Sequence, residues 1–177
     1  MIASTLTTPR LALRTPESAD FEHYAAFLMG PRGRFFGAPK TEAQAREVFD
    51  ALTGHWSSKG YGPWVFTLKG DARALGTAGV SQPETLPEPE LIWSIWRDED
   101  EGKGYAAEAA IAARTAFYAE TGAASVVSYI DPANSRSVAL ATRLGAQPDP
   151  ASPAPFDGGV TYRHPAPDAD GSPEAYA

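Results

Sequence analysis

The stretch Gly102-Lys103-Gly104-Tyr105-Ala106-Ala107 combines residue types and a spacing that could bind an anion. Glycines lack a Cβ, so the backbone can close on an oxygen, and the free N–H groups and dipole of a following helix favour negative charge there. Lys103 adds a cation, but it follows the acidic run Asp98, Glu99, Asp100 and Glu101. A clamp made of side chains is therefore disfavoured, and backbone amides must hold the anion. Two other readings remain open: a plain strand-to-helix turn, and the G-x-G-x-x-A variant of the dinucleotide fingerprint. That fingerprint needs an acidic residue about 20 positions on, at the end of a second strand. Asp131 lies 27 positions after Gly104 (131 − 104) and directly precedes a proline.

Periodicity identifies the elements that must position this loop. Residues 90–96 read as a strand entering it and residues 105–121 as an alanine-rich helix leaving it, with Ala109, Ala113 and Phe117 on a face suited to a sheet. Upstream, residues 10–14 alternate as an opening strand, and Ser18 and Asp20 offer caps for a helix that Gly30-Pro31 stops. A second helix starts at the capping Thr41 and is expected to stop at Gly54; the loop between the two helices holds Arg32, Arg34, Phe35 and Phe36. Residues 64–68 and 74–81 form an antiparallel hairpin turned at Gly70-Asp71. A strand at 125–130, a helix at 135–144 ended by Gly145, and a last strand at 159–164 follow. The expected fold class is α/β (α+β), a mixed, largely antiparallel central sheet flanked by helices. It occupies one domain, residues 1–164, with residues 165–177 a flexible acidic, proline-containing tail. Too few strands follow the loop to complete a doubly wound sheet.

Composition narrows the function classes. A length of 177 residues fits one core, and a net charge of −7 opposes nucleic acid as a partner, because that affinity rests on cations neutralising phosphates. The same excess would attract a cationic amine, although solubility alone also accounts for it. The apolar runs fall short of the roughly 18 residues a membrane span needs, so no membrane partner is expected. Residues 1–8 lack the pattern of a signal peptide, and the absence of cysteine removes disulfides and thiolate zinc sites, so the expected location is cytoplasmic. His23, His55 and His164 lack the spacing of a metal pair, and no metal is expected.

Three segments in order carry a resemblance: Thr8-Pro-Arg-Leu-Ala-Leu-Arg14, Gly102-Lys-Gly-Tyr-Ala-Ala-Glu108-Ala, and Asn134-Ser-Arg-Ser137 followed by Arg143-Leu-Gly145. The chain resembles the GNAT superfamily of N-acetyltransferases, most closely its RimJ/RimL-like branch of ribosomal-protein alanine acetyltransferases, over residues 8–145. The resemblance implies the GNAT fold, acetyl-CoA as donor, and transfer to a primary amine on a peptide N-terminus or small molecule by direct attack in a ternary complex. It implies cofactor contacts from Ile95, Trp96, Gly102, Lys103, Gly104, Tyr105, Ala106, Asn134 and Ser137, and an acceptor pocket built by the Arg32–Phe36 loop and Trp93. A homodimer is left open.

Attack on a thioester needs a neutral amine, whose ordinary pKa is about 10.4, so a base is required. Glu90 matches a glutamate of the resembled family; a solvated strand-edge charge is the alternative, and Glu88 is a weaker substitute. The resemblance also implies that a backbone N–H near Ile95 or Trp96 serves the acyl oxygen. Ser137 matches the serine placed at the thiol, against a plain first-turn helix residue, and Asn134 is a helix cap, a pantetheine contact, or both. Two positions depart from the family pattern: Glu99 stands where Gln or Arg is frequent, and Ala141 where many members have a proton-donating tyrosine. The tyrosine mechanism therefore does not transfer, and a non-catalytic acyl-CoA-binding or regulatory domain is the competing function.

Overall fold

The structure, a computed structural model, describes residues 2–165, so the expected tail lies outside the described residues apart from Pro165. The chain opens with β1 (Thr5–Thr7) and β2 (Leu11–Arg14), paired antiparallel. Strand β1 was not legible in the sequence, because three half-exposed residues carry no alternation to read. Helix α1 (Phe21–Met29) follows a short turn at Ser18–Asp20. Asp20 does not cap α1 as expected. It is buried, holds both Nη atoms of Arg14 at 2.7 and 2.8 Å, and accepts the Glu17 N–H at 2.8 Å. A bidentate arginine pair outcompetes a cap for the same carboxylate.

Helix α2 (Glu42–Lys59) begins as expected at Thr41, whose hydroxyl accepts the Gln44 N–H at 3.2 Å. It runs through Gly54 instead of stopping there. A lone glycine costs only about 1 kcal/mol against alanine, and the buried face of Phe49, Leu52 and His55 continues across it. The stop comes at Gly60, whose φ of 74° closes the last turn.

Next come β3 (Pro63–Leu68) and β4 (Ala74–Ser81), an antiparallel hairpin, then β5 (Glu90–Ile95), helix α3 (Tyr105–Thr121), β6 (Val127–Ile130), helix α4 (Ser135–Arg143), β7 (Gln147–Pro148) and β8 (Val160–Arg163). One eight-stranded sheet results, ordered β1-β2-β3-β4-β5-β6-β8-β7. Every pair is antiparallel except β5 with β6. This is the mixed, largely antiparallel sheet the sequence predicts, and it excludes the doubly wound parallel sheet that the dinucleotide fingerprint requires.

The sheet separates two apolar interiors, and β3 shows how. Trp64 and Phe66 join the interior beneath α3 with Leu91, Trp93, Ala109, Ala113 and Phe117, while Val65 faces the opposite way into the cluster of α1 and α2. Ala109, Ala110 and Ala113 are fully buried, so α3 lies close on the sheet. Close packing fixes the helix start, and with it the glycine loop, against the end of β5.

The backbone register of β5 with β6 is confined to the one pair Glu90 and Val127. Beyond that point the two strands part, and the backbone edge of β5 faces a gap.

Candidate active site

At the open end of this gap lies a cleft of about 960 Å³, bounded by the end of β5, the starts of α3 and α4, and the turn Pro31–Phe35 after α1. Its wall includes Ile95, Gly102, Gly104, Tyr105 and Ala106, and on the α4 side Asn134 and Ser137. Seven of the nine residues expected at the cofactor therefore meet around one space, together with Arg32, Arg34, Phe35, Phe36 and Trp93. Trp96, Lys103 and Glu90 are not in its wall.

The loop owes its shape to glycine at two positions. Gly102 and Gly104 have φ of 71° and 79°, in the left-handed region that L side chains resist. Gly104 then starts α3, whose first-turn N–H groups have no intrahelical partner and point toward the cleft end of the helix. Lys103 turns aside. Its carbonyl accepts Arg10 Nη1 at 2.9 Å, its Nζ lies 3.7 Å from Asp100, and it lines a second, smaller hollow with Arg10 and Arg143. Glu108 locks the loop to the N-terminal motif, accepting the Thr8 hydroxyl at 2.5 Å, the Arg10 N–H at 2.9 Å and Arg10 Nε at 2.6 Å.

The free edge of β5 follows from its pairing. The Trp96 N–H donates to the Leu75 carbonyl at 2.9 Å, so the ladder to β4 takes the even-numbered residues of β5. The odd-numbered ones face β6: the Pro89 carbonyl accepts the Val127 N–H at 3.0 Å and the Leu91 carbonyl accepts the Ser128 hydroxyl at 2.6 Å. Where β6 departs, Trp93 and Ile95 keep their edge toward the gap. The expectation that Trp96 presents a backbone donor is thus corrected, since its N–H is taken by β4. Its indole is buried among α1 and α2, 5.5 Å from the Tyr24 ring, with Nε1 donating to Ser94 Oγ at 3.2 Å.

Arg32 crosses from the turn after α1 to this edge. Its Nε and Nη2 donate to the Ile95 carbonyl at 3.1 and 3.0 Å, and it pairs with Asp98 and Glu101. The turn can fold back this tightly because Gly33 abuts α1, where a Cβ would fall 2.0 Å from the Leu28 carbonyl oxygen.

On α4, Asn134 acts as the helix cap, accepting the Ser137 N–H at 3.3 Å. Ser137 is half-buried, and its hydroxyl makes no hydrogen bond among the described residues. Ala141 is fully buried in the core beneath α3, so the position where the resemblance leads one to expect a tyrosine faces away from the cleft. Arg136, Leu140 and Arg143 line the cleft instead. Both arginines lie in the quoted motif but were given no role of their own; their spacing of seven, with Leu140 between, is the helical signal that places them on one face.

Glu90 sits at the closed end of the gap, roughly 16 Å of strand from Ile95 at about 3.3 Å per residue. Its carboxylate accepts the Tyr129 N–H at 3.3 Å. Burial pushes its pKa up to about 7, against the smaller lowering effect of that hydrogen bond. Glu88 is engaged elsewhere. Arg163 donates to it at 2.8 and 3.0 Å and the Ser152 hydroxyl at 2.7 Å, and the guanidinium holds its carboxyl below the usual range, so it is a poor base.

His55 and His164 are structural, and His23 is exposed on α1. His55 Nδ1 donates to the Tyr61 carbonyl at 2.7 Å while Nε2 accepts the Gln82 N–H at 2.8 Å. Fully buried His164 accepts from Arg114 at 3.0 Å and lies 2.9 Å from the Ser128 hydroxyl; burial lowers its pKa to about 3. Among the described residues no group of three or more His, Cys, Asp or Glu could hold a metal, and no helix is long and apolar enough to cross a membrane.

A glycine-started helix thus stands beside a parted parallel strand pair at the head of one cleft. Residues 10–147 match the profile of the acetyltransferase (GNAT) domain, and the chain belongs to that family. It is 34% identical to an acetyltransferase from Agrobacterium tumefaciens strain C58, with a TM-score of 0.87 over 93% of this chain and 95% of that one. A GNAT-family acetyltransferase from Bacillus anthracis (18% identity, TM-score 0.73, 91% and 98% covered) shares the fold. So does a ribosomal-protein-S5-alanine acetyltransferase from Vibrio fischeri (16%, TM-score 0.67, 94% and 98% covered).

Proposed function

We propose that this protein transfers the acetyl group of acetyl-CoA to a primary amine, on a peptide N-terminus or a small molecule, by direct attack within a ternary complex. The observation that carries this reading is the junction of the Gly102–Gly104 loop with the unpaired edge of β5 in one cleft. The residues fit the donor. The N–H groups at the start of α3 would face its diphosphate, and the Trp93 and Ile95 edge of β5 its extended arm. When bound, acetyl-CoA supplies an activated thioester. The protein's own groups do the rest. An edge N–H of Trp93 or Ile95 stabilises charge developing on the acyl oxygen. The Ser137 hydroxyl, free of hydrogen-bond partners among the described residues, donates to the departing sulfur. Glu90, titrating near pH 7, takes the amine proton through water, because it stands apart from the cleft wall.

A RimJ/RimL-like role in modifying ribosomal proteins rests on the N-terminal and loop motifs and on the fold shared with the Vibrio fischeri enzyme. We take residues 1–164 as one catalytic domain working in the cytoplasm. The competing reading, an acyl-CoA-binding domain without catalysis, has in its favour only the alanine at 141. Thiol release from acetyl-CoA, followed with a panel of amines and peptides bearing N-terminal alanine or serine, tests the proposal. Release that depends on one acceptor class supports it, and acetyl-CoA binding without release for every acceptor favours the binding domain.

A further inference from the structure

Glu101 stands immediately before the glycine loop, where a phosphate-binding site should avoid negative charge, yet its carboxylate lines the cleft. Two guanidiniums answer it. Arg136 at the start of α4 places Nη1 2.8 Å from Oε1 and 2.7 Å from Oε2, and Arg32 Nη2 bonds the same Oε1. Arg32 also bonds Asp98 and the Ile95 carbonyl. An ionic chain, Asp98, Arg32, Glu101, Arg136, therefore runs along the cleft wall from the end of β5 to α4. Arg136 is largely exposed, and among the described residues Glu101 is the partner its guanidinium bonds.

An acidic protein that must take up a polyanion has two ways to keep cations at the mouth of a cleft: leave them unpaired, or pair them with an anion that can be replaced. The Glu101 carboxylate resembles a phosphate in charge and in its planar, two-oxygen match to a guanidinium fork. We propose that Glu101 is an internal stand-in for the phosphates of the acyl donor: it holds Arg32 and Arg136 in reserve, and both guanidiniums pass to the phosphates on binding. The handover also frees the Ile95 carbonyl, an acceptor on the β5 edge that the donor's amides can use. Arg136 thereby becomes a cofactor-binding residue, and Glu101 sets the affinity by competing for it. The inference rests on acetyl-CoA being the ligand.

The test is calorimetric titration of acetyl-CoA into the wild type, Glu101→Gln, Arg136→Gln and the double variant, with S-acetylpantetheine, which lacks the phosphates, as the control ligand. Removing a cleft carboxylate should tighten acetyl-CoA binding at least threefold and leave S-acetylpantetheine unchanged. Arg136→Gln should weaken acetyl-CoA binding, and by a larger factor in the Glu101→Gln background, where the arginine no longer has a competing partner. Equal or weaker acetyl-CoA binding by a folded Glu101→Gln variant overturns the stand-in. The same holds if S-acetylpantetheine gains as much as acetyl-CoA. Absence of acetyl-CoA binding by the wild type would instead overturn the functional reading beneath it.

Discussion

Arg32 and Ile95 lie 63 residues apart in sequence, and two guanidinium hydrogen bonds join the first to the carbonyl of the second. The bond ties the turn after α1, which carries Arg34, Phe35 and Phe36 into the cleft, to the free edge of β5. Arg32→Lys keeps the charge but loses the fork, so it cannot serve Ile95, Asp98 and Glu101 together. We predict a loss of roughly 1–2 kcal/mol in chemical denaturation. Hydrogen exchange should rise in residues 31–36 and stay unchanged in α3.

Gly104→Val should weaken acetyl-CoA binding at least tenfold, about 1.4 kcal/mol, because a branched residue resists a φ of 79° and its Cβ would press on Arg10 Nη2 at 3.3 Å. Titration calorimetry checks it. An unchanged dissociation constant in the folded variant would reduce the loop to a simple turn.

These two sites differ in how far the sequence reveals them. The glycine loop, its strand and its helix are local and were legible, as were the α3 face and the mixed sheet. Thr41 was legible as a cap because its acceptor lies three residues away. Long-range pairings were not. Asp20 was assigned to a cap because the sequence does not show Arg14 beside it, and Gly54 was read as a stop because the buried face continuing to His55 depends on tertiary packing. Trp96 and Ile95 are neighbours, and only the register of β5 against β4 decides which one presents its N–H to the gap.

Ser137→Ala should lower kcat by about tenfold to a hundredfold, the scale of one lost transition-state hydrogen bond, with acetyl-CoA affinity nearly constant. Steady-state kinetics with titration of the cofactor separates the two effects. A matching fall in affinity would make Ser137 a binding contact.

Glu90 and His164 give opposite pH signatures. The Glu90 pKa rises from 4.5 unfolded to about 7 folded, so its ionised form is disfavoured by the fold and its contribution to stability falls as pH rises through that window. The His164 pKa drops from 6.5 to about 3, so its contribution is present above pH 6.5 and is lost as pH falls toward 3. Glu90→Gln should therefore raise Tm at pH 8 and change it little at pH 4, while removing the rising acid limb of the rate profile. A Tm difference independent of pH would show that Glu90 is not held near neutrality.

Incubation with acetyl-CoA carrying a 13C-labelled acetyl group and a peptide with a free N-terminal alanine, followed by mass spectrometry of the peptide, tests the acetyltransferase assignment most directly. The account predicts one labelled acetyl group on the terminal amine, formed at a rate that falls in Ser137→Ala and, at acetyl-CoA concentrations below its dissociation constant, at least tenfold in Gly104→Val. If neither this peptide nor any other primary amine gains the label while the wild type binds acetyl-CoA tightly, the protein is a binding domain and the catalytic account is contradicted.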